Sequence, residues 1–168
     1  MRLHNFAKAC SHVSNFTAAH ESRIATNGFG RLDYPPRHIE VDNRLSWFLG
    51  RLDRAFGRDA FYVHLPRNRR EVAESFAARW DMGIMQAYRT AISPAPDGAP
   101  DVSVALDLVD TVTANIEHFL RDKPNRTTTE ISVAAESFPE FWDAISAQGD
   151  FTSALQEFLV RHNASIRA

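Results

Sequence analysis

The sequence predicts an α/β fold with a short parallel sheet and helices on both faces of that sheet. Residues 60–65 form a short, mostly apolar run with aromatic and β-branched members, as is typical of a central strand buried on both sides. A helical period of three and four follows over residues 69–80. A long amphipathic helix over 102–120 then precedes a second candidate strand at 127–133. This alternation of strands and helices favours parallel pairing.

Helical periodicity recurs on both sides of this centre, and glycine and proline mark the breaks between helices. The breaks predict loops over residues 22–37 and 93–100. Gly57 stands where a C′ residue would end the helix before it. The other helices are predicted over residues 3–13, 43–56, 82–92 (as a new helix or as an extension of the one before), 138–147 and 151–162.

Length and composition indicate one domain over residues 1–168, since 168 residues with 44% apolar side chains can bury one ordinary core. The balance of 19 Lys and Arg against 21 Asp and Glu predicts neither a nucleic-acid nor a membrane-surface partner. No apolar run approaches the roughly 20 residues that cross a bilayer. The single cysteine, Cys10, has no partner for an internal disulfide, which favours a reducing, cytoplasmic location.

A basic segment follows the predicted central strand and precedes a helix. It contains Arg67, Arg69 and Arg70 within four residues, and Ser75 comes eight positions after Arg67. Helix N-termini favour anions because their first N–H groups are free and the helix dipole is positive there. Arginine adds charge-assisted hydrogen bonds. The alternative is a solvated basic turn on the surface, with Ser75 facing water.

The segment 62–76, YVHLPRNRREVAESF, resembles the strand, loop and helix with which sulfotransferases hold the 3′-phosphate of 3′-phosphoadenosine 5′-phosphosulfate (PAPS). In that family an arginine ends a central strand and a serine follows eight residues later. The resemblance implies that Arg67 and Ser75 bind the 3′-phosphate, that Arg69 or Arg70 assists, and that the fold is a three-layer α/β/α sandwich of the P-loop type. One departure is that Pro66 precedes the arginine here, whereas family members commonly have Arg-Asp-Pro.

Residues 9–23 resemble the end of the family's first helix and the loop after it, which bears His-Glu. The resemblance places Glu21 at the position of a catalytic carboxylate. Such a group takes the proton from the acceptor hydroxyl or amine as that acceptor attacks sulfur. His20 is the alternative base, because the ordinary pKa of histidine lies nearer neutrality. The alternative to both roles is a surface carboxylate paired with Arg23 and a partly buried histidine.

The family's first strand and its Gly-x-Gly-Arg-x-Gly-Thr loop, which wraps the 5′-phosphosulfate, have no counterpart in this sequence. We therefore expect little activity from these 168 residues alone, because one lost oxyanion donor can cost roughly 10²–10³-fold in rate. Three explanations of the missing strand and loop stay open: a misplaced start of the sequence, a decayed homologue, or another segment that fills their place. A missing central strand also exposes a sheet edge, which a homo-oligomer could cover.

The resemblance implies transfer of a sulfuryl group from PAPS to a small-molecule or glycan acceptor, which leaves 3′,5′-adenosine bisphosphate (PAP) and needs no metal. One alternative is a catalytically inactive module that binds a nucleotide or a protein. A second is another P-loop transferase, such as a small-molecule kinase, which would need acidic Mg²⁺ ligands. His4 and His12 lie eight residues apart without a third ligand at suitable spacing, so the sequence favours no metal site.

Overall fold

The computed structural model describes residues 3–96 and 98–160. Contacts divide the chain into two compact units. The described part of the first unit comprises residues 3–65 and 123–160, and that of the second comprises residues 66–96 and 98–122. The single domain over 1–168 stays a prediction.

Eleven helices and strands carry the fold of the described residues, joined by short 3₁₀ or π turns. In chain order they are α1 (Leu3–Cys10), β1 (Thr17–His20), β2 (His38–Val41), α2 (Leu49–Phe56), β3 (Tyr62–His64), α3 (Arg69–Ala77), α4 (Gly83–Ala87), α5 (Asp101–Leu120), β4 (Arg126–Thr128), α6 (Ala134–Ala144) and α7 (Phe151–Gln156). None of the helices within residues 3–96 and 98–160 is both long and apolar enough to span a bilayer.

Two small parallel sheets confirm the mixed α/β class. In the first sheet β1 pairs with β2, so that Thr17 lies opposite His38, and in the second β3 pairs with β4. Among the described residues each strand has one strand neighbour. The sequence analysis expected one short parallel sheet, and the three-layer, P-loop-type arrangement stays a prediction.

The strands were the elements that the sequence predicted least well. The run at 60–65 contains β3, but the candidate strand at 127–133 ends at Thr128 and continues into a 3₁₀ turn, Ile131–Val133. Strands β1 and β2 were missed, because residues 17–20 were assigned to a loop and residues 38–41 received no assignment. Parallel pairing between distant segments holds them, and no local propensity reports that pairing.

The helices follow the predicted periodicity, with shifted ends. The segment 43–56 divides into a 3₁₀ turn, Asn43–Trp47, and α2. Gly57 ends α2 as predicted: its φ is +50° and its N–H donates to the carbonyl of Asp53. Helix α6 begins four residues before the predicted residue 138, and α7 ends at Gln156. Residues 161 and 162 of the last prediction lie outside the described residues.

An aromatic cluster forms the core of the first unit. Phe138 is fully buried at its centre, and α1 contributes Phe6 and Cys10. Burial raises the pKa of the Cys10 thiol to about 12, so the thiol is protonated at neutral pH. Cys10 therefore behaves as a small apolar side chain.

The second unit has a core of its own, built where α3 and α4 pack on α5. Its centre is formed by Ala73, Met85, Tyr88, Ala105 and Leu108, all of them buried. The Tyr88 hydroxyl donates to Asp107 Oδ2 at 2.5 Å, so the buried phenol has a hydrogen-bond partner.

Gly149 joins the C-terminal helices to the start of the chain through a bridge to Val13. Its φ is +141°, and an added Cβ would lie 2.1 Å from the carbonyl oxygen of His12. We expect Gly149→Ala to lower the free energy of unfolding by about 1–3 kcal/mol, because both the conformation and the backbone contact must change. Denaturant unfolding measures this loss.

Gly50 is the matched control for Gly149. It lies in α2 with open space around its Cα. Gly50→Ala is expected to stabilise the protein by up to about 1 kcal/mol through helix propensity. Equal effects of the two substitutions would contradict the close approach at Gly149.

Candidate functional sites at the strand ends

The predicted basic segment lies at the start of α3, in the second unit. Asn68 is the N-cap of this helix, and its side-chain oxygen accepts from the N–H groups of Arg70 (3.0 Å) and Glu71 (3.1 Å). Two of the N–H groups expected to face a phosphate therefore already have a partner within the chain. An anion at this position would rely mainly on side chains.

Each arginine of the segment is exposed and pairs with a carboxylate of the same unit. Arg67 contacts Glu71 at 3.2 Å, and Arg70 contacts Glu74 at 2.9 Å, both one helical turn away. The three basic side chains are thus partly neutralised. The third pair joins Arg69 to Asp110 of α5.

The Arg69–Asp110 pair is bidentate, with Nε and Nη2 each 2.5 Å from a carboxylate oxygen. Its hydrogen bonds hold the pKa of the Asp110 carboxyl below its usual range. This pair connects α3 to α5 and gives Arg69 a structural role. Arg67 and Arg70 each make a single exposed contact one turn along the chain, so neither is tied to a second helix.

Ser75 lies on the exposed side of α3, where its hydroxyl accepts from Arg79 Nη2 at 3.3 Å. Glu71 and Ser75 are four residues apart on α3 and so lie on the same side of the helix, whereas Arg67 precedes the N-cap and contacts Glu71. Glu71 thus lies next to both predicted 3′-phosphate ligands, and a phosphate would have to displace this carboxylate from Arg67.

The predicted catalytic pair lies in the first unit, at the carboxyl end of β1. His20 is the last residue of this strand and Glu21 follows it, so the expectation of a loop at His20 was wrong. Glu21 has a φ of +54°, which is unusual for a residue with a side chain. Its N–H donates to the carbonyl of Val41 and extends the ladder to β2. Backbone strain of this kind is concentrated at functional sites.

Arg44 contacts Glu21 from the segment that follows β2. The distance from Arg44 Nη1 to Glu21 Oε1 is 2.7 Å, with both side chains partly exposed. The partner proposed from sequence was Arg23, whose Nη2 instead donates to the carbonyl of Asp33. The rings of His20 and of His4 on α1 are perpendicular to each other, with centroids 5.7 Å apart. Glu21 and Arg44 thus meet at the carboxyl ends of two parallel strands, where α/β proteins bind ligands.

A buried ion pair supports this strand end, and sequence reasoning missed it. Arg31 Nη2 donates to Asp42 Oδ2, and both side chains are almost fully buried. Asp42 Oδ1 also accepts from the N–H of Arg44 at 2.8 Å, so the same carboxylate fixes the residue that pairs with Glu21. No periodicity points to such a pair.

A second polar group that the sequence analysis missed lies on one face of the β1–β2 sheet. It consists of Thr17, Ser22, His38 and Glu40, joined by hydrogen bonds of 2.6–3.0 Å. The sequence does carry a signal for His38 and Glu40, because residues 38–41 alternate polar and apolar side chains as a half-buried strand does. The prolines at 35 and 36 separate that alternation from the segment before it.

No protein-family model matches this chain, and no curated protein and no solved structure does so either. Within residues 3–96 and 98–160, no cluster of three or more His, Cys, Asp and Glu side chains is arranged to hold a metal ion. The fold and the candidate sites define a mixed α/β protein with small parallel sheets, a glutamate with an unusual backbone conformation at one strand end, and a basic helix start.

Proposed function

We propose that this chain is a sulfotransferase-like domain, which in its full form transfers a sulfuryl group from PAPS to a hydroxyl or amine and leaves PAP. The observation that carries the proposal is the exposed start of α3: Arg67, just before the helix, and Ser75, within it, are spaced as in the family that residues 62–76 resemble. We expect weak or no turnover from residues 1–168, because the sequence contains no loop of the phosphosulfate-binding type.

The 3′-phosphate of the nucleotide would replace Glu71 as the partner of Arg67. A phosphate offers three strong acceptor oxygens and more negative charge than a carboxylate, which favours the exchange at an exposed arginine. The Ser75 hydroxyl can donate to the same phosphate. Arg70, whose partner Glu74 is also exposed, adds positive charge, whereas Arg69 is held by Asp110.

Glu21 is the general base of the proposed reaction, and His20 is the alternative. PAPS is the sulfuryl donor, and PAP is the leaving group. The acceptor oxygen or nitrogen loses its proton to the carboxylate as it bonds to sulfur, while the bond from sulfur to the phosphate oxygen breaks. Arg44 holds one oxygen of Glu21, Oε1, and so orients the carboxylate.

The test is the affinity of PAP for the wild-type chain and for Arg67→Ala, measured by titration calorimetry. We expect the substitution to weaken PAP about 10- to 150-fold, the value of a hydrogen-bonded charge pair of about 1.5–3 kcal/mol. Arg54→Ala, which removes an exposed arginine of α2, is the matched control and should bind PAP like the wild type. Adenosine 5′-monophosphate, which lacks the 3′-phosphate, should bind both variants equally.

Equal PAP affinity of wild type and Arg67→Ala would refute the nucleotide site. Binding of PAP by the full form without sulfuryl transfer to any hydroxyl or amine would favour the second candidate, a catalytically inactive nucleotide-binding module. That candidate is supported by the sequence, which contains no loop of the phosphosulfate-binding type.

Three further features belong to the proposal. The acceptor is a small molecule or a glycan, and neither a nucleic acid nor a membrane is a partner. The free, buried Cys10 fits a cytoplasmic location. Strands β2 and β3 each pair with one strand among the described residues, so a second copy of the chain could add a strand at either sheet and form a homo-oligomer.

A further inference from the structure

The polar face of the β1–β2 sheet carries a chain of hydrogen bonds that the proposed transfer does not use. Ile39 and Val41 point into the aromatic core, so the alternate positions His38 and Glu40 lie on the opposite face. Thr17 is the register partner of His38 on β1, which sets the two side chains next to each other. The arrangement follows from strand geometry.

The hydrogen bonds run from the Thr17 hydroxyl through the His38 imidazole to the Glu40 carboxylate. Thr17 Oγ1 lies 2.8 Å from His38 Nδ1, and His38 Nε2 lies 3.0 Å from Glu40 Oε2. The side chains of His38 and Glu40 are 9% and 4% exposed, whereas Thr17 is exposed to solvent. The carboxylate end of this hydrogen-bonded series is therefore buried, and the hydroxyl end is open to a substrate.

Neighbouring groups hold the buried end in one orientation. Ser22 donates to both oxygens of Glu40, from its N–H at 2.7 Å and from its hydroxyl at 2.6 Å. The ring of Tyr34 stacks on that of His38, with centroids 5.3 Å apart and planes 12° apart. Burial and the charge of Glu40 raise the pKa of the Tyr34 phenol, which stays protonated at neutral pH.

The hydrogen bonds also determine where the protons lie in the neutral imidazole. An ionised Glu40 only accepts hydrogen bonds, so His38 Nε2 carries the proton that it donates to Glu40. Nδ1 then has a lone pair and accepts from the Thr17 hydroxyl. A buried carboxylate that fixes the tautomer of a histidine beside a hydroxyl is the arrangement that activates a nucleophile.

We propose that Thr17, His38 and Glu40 form a nucleophilic site that is acylated by activated carboxylic esters. The Thr17 oxygen bonds to the ester carbonyl carbon while its proton passes to His38 Nδ1. The bond from that carbon to the leaving oxygen breaks, and the leaving group departs with the electron pair. Glu40 stabilises the imidazolium, which then releases its proton to water. The product is an ester on Thr17.

The reacting hydroxyl of Thr17 lies away from Glu21, and its acylation requires no nucleotide. Thr17 begins β1 and His20 ends it, so about 10 Å of strand separates them at a rise of about 3.3 Å per residue. Loss of PAP binding in Arg67→Ala would therefore leave acylation of Thr17 unchanged. The two proposals can fail separately.

The test uses p-nitrophenyl acetate and follows the release of p-nitrophenolate, with peptide mass spectrometry to locate the acetyl group. We expect a burst in the wild type with acetyl on Thr17, no burst in Thr17→Val and a retained burst in Thr17→Ser. His38→Gln should slow acetylation about 100-fold through loss of the base. Thr152→Val, which removes an exposed threonine of α7, is the matched control and should behave like the wild type.

Thr17→Val is nearly isosteric at an exposed position, so circular dichroism should show an unchanged fold. If His38→Gln unfolds, Thr17→Val alone decides the outcome. An unacetylated Thr17 in the wild type, or a wild-type burst in Thr17→Val, would overturn the proposal. Acetylation of Thr17 at the wild-type rate in a folded His38→Gln variant would overturn the role of His38 as the base.

Discussion

Phe138→Ala is expected to lower the free energy of unfolding by about 3–5 kcal/mol, the cost of a large cavity in a packed core. Phe138 is fully buried in α6. Aromatic rings whose centroids lie within 6.4 Å of its own include those of Phe158 (5.1 Å), Phe6 (5.7 Å), Phe141 (5.8 Å), Trp142 (6.0 Å) and Phe151 (6.4 Å). The rings come from α1, α6 and the C-terminal segment, so little backbone movement can close the gap.

Guanidinium unfolding followed by tryptophan fluorescence measures this loss. Phe29→Ala is the matched control, because the Phe29 side chain is 97% exposed and its removal should change stability by less than about 0.5 kcal/mol. Phe138→Leu keeps most of the volume and should lose less than about 1.5 kcal/mol. Equal effects of Phe138→Ala and Phe29→Ala would contradict the position of Phe138 in the core.

Asp42→Asn is expected to lower the free energy of unfolding by about 3–5 kcal/mol, because it leaves the buried Arg31 guanidinium without a counter-charge. The Asp42 side chain has no exposed surface and that of Arg31 is 5% exposed. Asparagine keeps an oxygen that can accept from the N–H of Arg44. The substitution therefore tests the charge and preserves the shape and the cap. Urea unfolding measures the loss.

Asp143→Asn, which neutralises an exposed carboxylate of α6, is the matched control and should be nearly neutral. Combining Asp42→Asn with Arg31→Met removes the uncompensated charge and should restore most of the lost stability. A loss below about 1 kcal/mol for Asp42→Asn would show that the Arg31–Asp42 pair contributes no more to stability than an exposed ion pair. A double variant no more stable than Asp42→Asn would show that the charge is not the cause.

Much of the helical structure could be predicted from the sequence, because a helix forms from neighbours along the chain. The apolar period placed α5 within one residue of its start and matched its end, and Gly57 marked the end of α2. Strand β3 was found because its run is mostly apolar, with aromatic and β-branched members. Strand β1 was not, because Thr-Ala-Ala-His has no alternation and is held by the ladder to β2.

The candidate sites show the same division. Arg67 and Ser75 were chosen because residues 62–76 resemble the sulfotransferase strand, loop and helix, and the structure adds the carboxylate partners of the basic segment. The contact of Arg44 with Glu21 depends on where β1 and β2 end, which no sequence pattern reported. The relay from Thr17 to Glu40 depends on register, because a shift by one residue would move His38 away from Thr17.

The sequence by itself determined the α/β class, most helices, the basic start of α3 and the absence of a second cysteine, since these depend on residue type and short-range spacing. Tertiary structure decided which polar groups are buried together. Arg31 with Asp42, and His38 with Glu40 and Ser22, lie away from water because distant segments cover them. Charged and polar groups remain there because each has a hydrogen-bond partner that the fold supplies.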